Sequence, residues 1–115
     1  MPNRYWVGGT GTWNTTSTTN WSDLPGGGSG ASVPTAADDV FFDQASTYTV
    51  TCTGALNCRT LTVSAGTVTF AQGTNPTFAI AGGMSLVAGT VWSATGNITF
   101  TATSGSFTIT TNGLS

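Results

Sequence analysis

The sequence predicts an all-β chain, and within that class a short parallel β-solenoid with a Trp/Gly-rich N-terminal cap. Three observations carry this expectation. Thr is the commonest residue, and Val, Ile, Phe, Tyr and Trp accompany it, while the helix-favouring Leu, Met and Gln are scarce; these are residues that suit a pleated surface. From Asp39 onward, apolar and polar residues alternate in short bursts separated by Gly, Asn or Ser, which is the period of a strand. The bursts themselves recur at about 20 residues, the interval at which one solenoid turn would stack on the next. The alternative all-β architecture is an antiparallel β-sandwich or jelly roll, which also uses many short strands but requires no chain-wide register.

With 115 residues the chain is long enough for one domain. Residues 1–38 read as a Trp/Gly-rich cap and Gly-rich loop, and residues 39–115 as a Thr-rich repeat region that forms one folding unit with the cap. In the cap, Trp6, Trp13 and Trp21 sit among glycines, threonines and asparagines with almost no charge. The terminal turn of a solenoid exposes an apolar cross-section and unpaired strand groups, so it needs a lid. Three indoles, each able to bury about 200 Å² and to satisfy an N–H at the rim, would supply one over a first turn that begins near Val40 or Val50. "VGGTGTW" lets the backbone turn tightly beside those rings, and "LPGGGSGASVP" at 24 to 34 reads as a flexible connection bounded by Pro25 and Pro34.

The body begins with "DVFFD" and "STYTVTCTG", which put Val50 and Cys52 on one face of a strand with Tyr48 in line. Each later burst offers an inward pair: Leu61 and Val63, Val68 and Phe70, Phe78 and Ile80, Met84 and Leu86, Ile98 and Phe100, Phe107 and Ile109. "TFAIA" at 77 to 81 and "ITFTA" at 98 to 102 carry their pairs about 20 residues apart, and "MSLVAG" and "SFTITTNG" recur at a slightly longer interval. The last burst shows no second cap, so its edge is expected to be covered by further residues, a partner or another copy.

Composition excludes several kinds of chemistry. There is no His, Glu or Lys, so general-base catalysis of the usual kind, Ser-His-Asp activation and His-based metal sites cannot be built from this chain. Two arginines provide no basic footprint for nucleic acid, and no run approaches the roughly 20 apolar residues of a membrane span. Asp39 and Asp43 would face one side of an extended strand and could suit Ca²⁺ with carbonyl ligands, but turn capping at a strand start accounts for Asp38, Asp39 and Asp43 more simply. The chain is therefore expected to be non-enzymatic, with no cofactor and no metal. Cys52 and Cys58 have no zinc spacing; they could bridge across a turn at "TGALN", yet small buried thiols are the simpler reading. Trp92 could stack on a sugar ring, although a core or intersubunit contact suits an indole in the repeat body better. Arg4, beside the cap, could pair with a partner carboxylate or stay solvated.

The succession "YWVGGTGTWN", "NWS", a Gly-rich stretch, "VPTAADDVFFD" and Thr-rich repeats resembles the N-terminal module of β-helical bacteriophage virion proteins, the fibre and decoration types. It is also similar to the openings of autotransporter-type adhesins. The resemblance covers residues 5 to 43; beyond them the repeats match in style only. It implies a virion structural protein whose N-terminal part anchors on the capsid or tail while a β-solenoid projects outward, with other virion proteins as partners and a homo-oligomer, a trimer above all. The alternative it implies is a tail fibre or cell-surface adhesin module that binds host glycans through Trp92 and cap aromatics. The start "MPNRYWVGG" lacks the apolar core of a secretory signal, which favours assembly in the bacterial host cytoplasm over export, and hence reduced thiols.

Overall fold

The computed structural model describes residues 3–93, 98–100 and 108–110. Among these residues there is no helix; the chain forms eleven strands in two sheets around one core. They are β1 (Asn3–Trp6), β2 (Gly11–Trp13), β3 (Trp21–Ser22), β4 (Asp39–Phe42), β5 (Thr47–Cys52), β6 (Ala55–Val63), β7 (Thr67–Gln72), β8 (Thr77–Leu86), β9 (Val91–Trp92), β10 (Ile98–Phe100) and β11 (Thr108–Thr110). Sheet A has the order β10-β8-β6-β4-β1-β3, with β11 also paired to β8; sheet B has the order β2-β5-β7-β9. The pairing is mixed. β1 and β3 run antiparallel, and every other described pair is parallel.

Strand formation follows the alternation in the sequence. Along β5 the pattern of exposed, buried, half-buried residues puts Tyr48, Val50 and Cys52 in the core, and along β7 Val68 and Phe70. The inward pairs expected at 61/63, 68/70 and 78/80 are all buried; of the pair Met84 and Leu86, Leu86 is buried and Met84 lies partly buried against the core. Ile98, Phe100 and Ile109 fall in strands whose side chains lie outside the described set, and Phe107 lies outside the described residues altogether. The two long-range recurrences do pair: Ile98 with Phe78 and Phe100 with Ile80, and Ile109 with Met84.

Two local readings of the sequence change. "TGALN" is not a turn: Ala55, Leu56 and Asn57 open β6, and Leu56 and Cys58 point into the core. The alternation of this short run is masked because β6 then breaks phase. Its register against β8 shifts between Cys58 and Thr60, so buried positions stop alternating across Arg59. For the same reason "TFAIAGG" and "MSLVAG" form one strand, β8, rather than two. The Gly-rich segment is also tied down rather than free. Gly30 N–H donates to the carbonyls of Thr18 and Trp21, Ala31 N–H donates to Trp21, and the Arg4 guanidinium donates to the Ser32 carbonyl and Oγ at 2.8 and 2.7 Å. Arg4 thus straps the loop to β1 from a solvent-exposed position.

The turn that leads into β7 depends on Gly66. Its φ is +76°, and a Cβ there would overlap the backbone oxygens of Gln44 and Ser46, where Thr67 N–H donates to Ser46. Only glycine meets both demands.

Candidate functional site

The residues singled out in the cap converge on one aromatic cluster. β1 belongs to sheet A and pairs with both β3 and β4, setting Trp6 opposite Trp21; β2 belongs to sheet B and sets Trp13 opposite Cys52. All three indoles are essentially inaccessible to solvent. Trp21 meets Trp6 and Trp13 edge-on, with centroids 5.1 and 5.3 Å apart. Phe42 lies 5.6, 5.9 and 6.0 Å from Trp6, Trp13 and Trp21. Edge-to-face and tilted pairs at these separations add attraction beyond the area they bury. From Phe42 the contacts run on to Phe70 at 5.0 Å and from Phe70 to Trp92 at 4.7 Å, so one run of aromatic contacts links β1–β3 to β7 and β9.

The N–H groups of the cluster are treated unequally. Trp6 donates to the Gly9 carbonyl at 2.7 Å, whereas the Trp21 Nε1 is buried without a partner. The expectation that each indole satisfies its N–H at the rim therefore fails at Trp21. Asn20 completes the corner. Its carbonyl accepts from Val7 N–H, its side chain donates to Thr12, and it fills the space where any side chain on Gly8 would stand.

The aspartates have separate duties. Asp38 is almost fully buried and accepts the Thr35 N–H at 2.7 Å, closing the turn before β4. Asp39 accepts from Arg59 at 2.5 Å and from the Thr60 hydroxyl at 2.7 Å. Asp43 receives the Gln44 amide at 3.4 Å. Among the described residues no three ligating side chains gather for a metal. Beside Asp43, the Tyr48 hydroxyl is buried without a partner, and burial, helped by the Asp43 charge, pushes its pKa up to about 12. Cys52 and Cys58 are free, buried thiols. Burial pushes both up to about 12, with the Asp39 charge contributing at Cys58, so neither is a nucleophile near neutral pH.

Trp92 is half-buried, its ring against Phe70 and Phe78 at 4.7 and 4.9 Å. A cleft of about 120 Å³ lies between Trp13, Val33, Pro34 and the edge of β6 at Ala55–Asn57. It contains no titratable group and is well below the roughly 300 Å³ at which small-molecule sites begin. Sequence reasoning missed Arg4 and Arg59 as fixing residues, and where it has Asn20 close a turn on its own backbone, the side chain instead reaches Thr12 on β2; a lone cation or amide in a Thr/Gly-rich segment carries no local signal of what it will meet. Comparison with protein-family models, with curated proteins and with solved structures finds no match to this chain.

Proposed function

We propose that the chain is a capped parallel β-solenoid and that it serves as a non-enzymatic structural protein of a bacteriophage particle, a capsid decoration or fibre protein. The observation that carries the reading is the offset of the parallel pairs. From β4 onward each strand pairs with one 20 to 25 residues further along, in both sheets. That is the register of successive turns laid one on another. The two strands of the cap join the same sheets, β1 on β4 and β2 on β5, and bring the three indoles over Phe42 at the first turn.

The virion role rests on the resemblance of residues 5 to 43, and the physical chemistry of the chain is compatible with it. Stacked strands satisfy the backbone internally, and a chain with six charged residues in 115 tolerates close side-by-side packing in a symmetric oligomer, for which a trimer is the leading candidate. The host-glycan reading draws less support, because Trp92 and the cap indoles spend their faces on one another and on Phe70 and Phe78.

Light scattering on the purified protein, together with gold-labelled antibody microscopy of phage particles that carry it, tests the proposal. A trimer and label at regular capsid or tail positions are expected. A monomer with no particle labelling would overturn the virion role, and saturable sugar binding lost in Trp92→Ala would favour the glycan reading.

A further inference from the structure

We propose that the outward face of sheet B is an ice-binding surface. Its side chains form columns across in-register parallel strands. Thr49 and Thr69 share one column; Thr12 and Thr51 share a second; Thr47 and Thr67 share a third, while the hydroxyl of Thr10, just before β2, accepts the Thr49 N–H at 3.2 Å. Six consecutive pairs join β5 to β7 without a register shift, in contrast to the break in sheet A at Cys58/Thr60. Regular strands fix the spacing of such columns at about 4.8 Å between strands and about 6.7 Å between alternate residues. The outcome is a two-dimensional lattice of hydroxyl and methyl groups, on the length scale of the oxygen lattice of ice.

Three further observations favour ordered water as the occupant. Apart from Thr10, none of these threonine hydroxyls makes a hydrogen bond among the described residues, so each can donate to and accept from water. No charged residue lies on β2, β5, β7 or β9, and a charge would impose its own radial hydration on the layer. The methyl groups restrict the orientations of first-layer water while the hydroxyls anchor it, so water over the face is held in a pattern that a growing crystal can incorporate. Area argues against a second copy of the chain. Four strands of up to six residues offer about 300 Å², against roughly 800 Å² per partner in a stable protein interface. A crystal surface needs no such minimum, because each lattice match adds to an adsorption that the advancing front does not reverse.

The inference does not rest on the virion reading, and each can fail without the other. The test is growth of single ice crystals just below the melting point in solutions of the full chain, scored for faceting and for a gap between melting and freezing temperatures. The unsubstituted protein and a sheet A control, Thr62→Lys, are expected to facet crystals and open the gap. Thr49→Lys and Thr69→Lys, with near-UV circular dichroism unchanged, are expected to behave as buffer. Thr67→Lys, at an exposed position, supplies the same test should either of those unfold. Crystal growth unaffected by the unsubstituted protein would overturn the proposal, as would full activity in the folded lysine variants. Conversion of an oligomer to a monomer by Thr49→Lys in light scattering would overturn it in favour of a contact between copies.

Discussion

Sheet A shifts register beside Arg59 and carries Tyr5, Asp39, Phe41 and Arg59 on its outer side, whereas sheet B holds unbroken register and turns threonines outward. Both press apolar residues into the same core, yet the ion pair and the outer ring stack lie on sheet A. Tyr5 stacks on Phe41 at 5.0 Å, Arg59 pairs with Asp39, and Arg4 straps residue 32. Sheet B relies on repetition of nearly identical pairs. The difference teaches that a chain of low charge can concentrate its few specific interactions where the pattern is irregular and leave the regular part to backbone pairing and burial.

The comparison can be broken most directly at the cap. Trp6→Ala removes a fully buried indole that anchors the end of sheet A, and it is expected to cost about 3–5 kcal/mol, read as a lower urea midpoint. A loss below about 1 kcal/mol would mean that the end of sheet A is held by the strap rather than by the rings.

Alkaline pH probes the core that the sheets share, through Tyr48 and Cys52 on β5 and Cys58 on β6. All three have folded pKa values raised to about 12, from ordinary values of 10.0 for the tyrosine and 9.0 for the thiols. Above their unfolded values the unfolded chain releases protons that the folded chain retains, so their contribution is complete below pH 9 and is lost as pH rises toward 12. Urea midpoints should be level up to that point and fall beyond it. Cys52→Ala should lessen the fall from the sheet B side and Cys58→Ala from the sheet A side.

Gly66→Ala, at the turn that feeds sheet B, should cost more than about 1 kcal/mol, because φ is positive and two carbonyl oxygens occupy the new methyl's place. Gly28→Ala in the cap loop meets nothing within 4 Å and should gain about 0.4–1 kcal/mol from the stiffer unfolded chain. Thermal midpoints of the pair would separate the two effects.

The smallest contrast lies on the outer faces. Asp39→Asn should cost about 1 kcal/mol and less at high salt, since Arg59 is about one-third exposed. Thr49→Ala in sheet B should stay within about 0.5 kcal/mol of the unsubstituted protein. Equal effects would remove the distinction between a sheet held by named contacts and one held by repetition.

Much of the inner surface was legible from residues alone. Tyr48, Val50 and Cys52, and the pairs 61/63, 68/70 and 78/80, follow from an alternation of period two that backbone pleating imposes locally. The first arm of β6 was not legible, because the phase shift beside Arg59 interrupts that period. Asp39 and Asp43 looked like one carboxylate pair, but Arg59 and Thr60 take the first and Gln44 the second, a choice made by strands 20 or more residues apart for Asp39.

By itself the sequence determined that the fold would be all-β, which residues of its regularly alternating segments would face inward, how far apart its like segments would recur, and that its chemistry would be poor in charge and titratable groups. Those properties live in local geometry and composition, which no distant partner can alter. Only the tertiary structure decided that Trp6 and Trp21 from sheet A and Trp13 from sheet B would meet around Phe42, that Trp21 would bury an unpartnered N–H, and that threonines from three strands, β2, β5 and β7, would align on one face. Each depends on which strand is laid beside which, and that follows from stacking whole segments so that the core closes, a condition no short stretch of sequence contains.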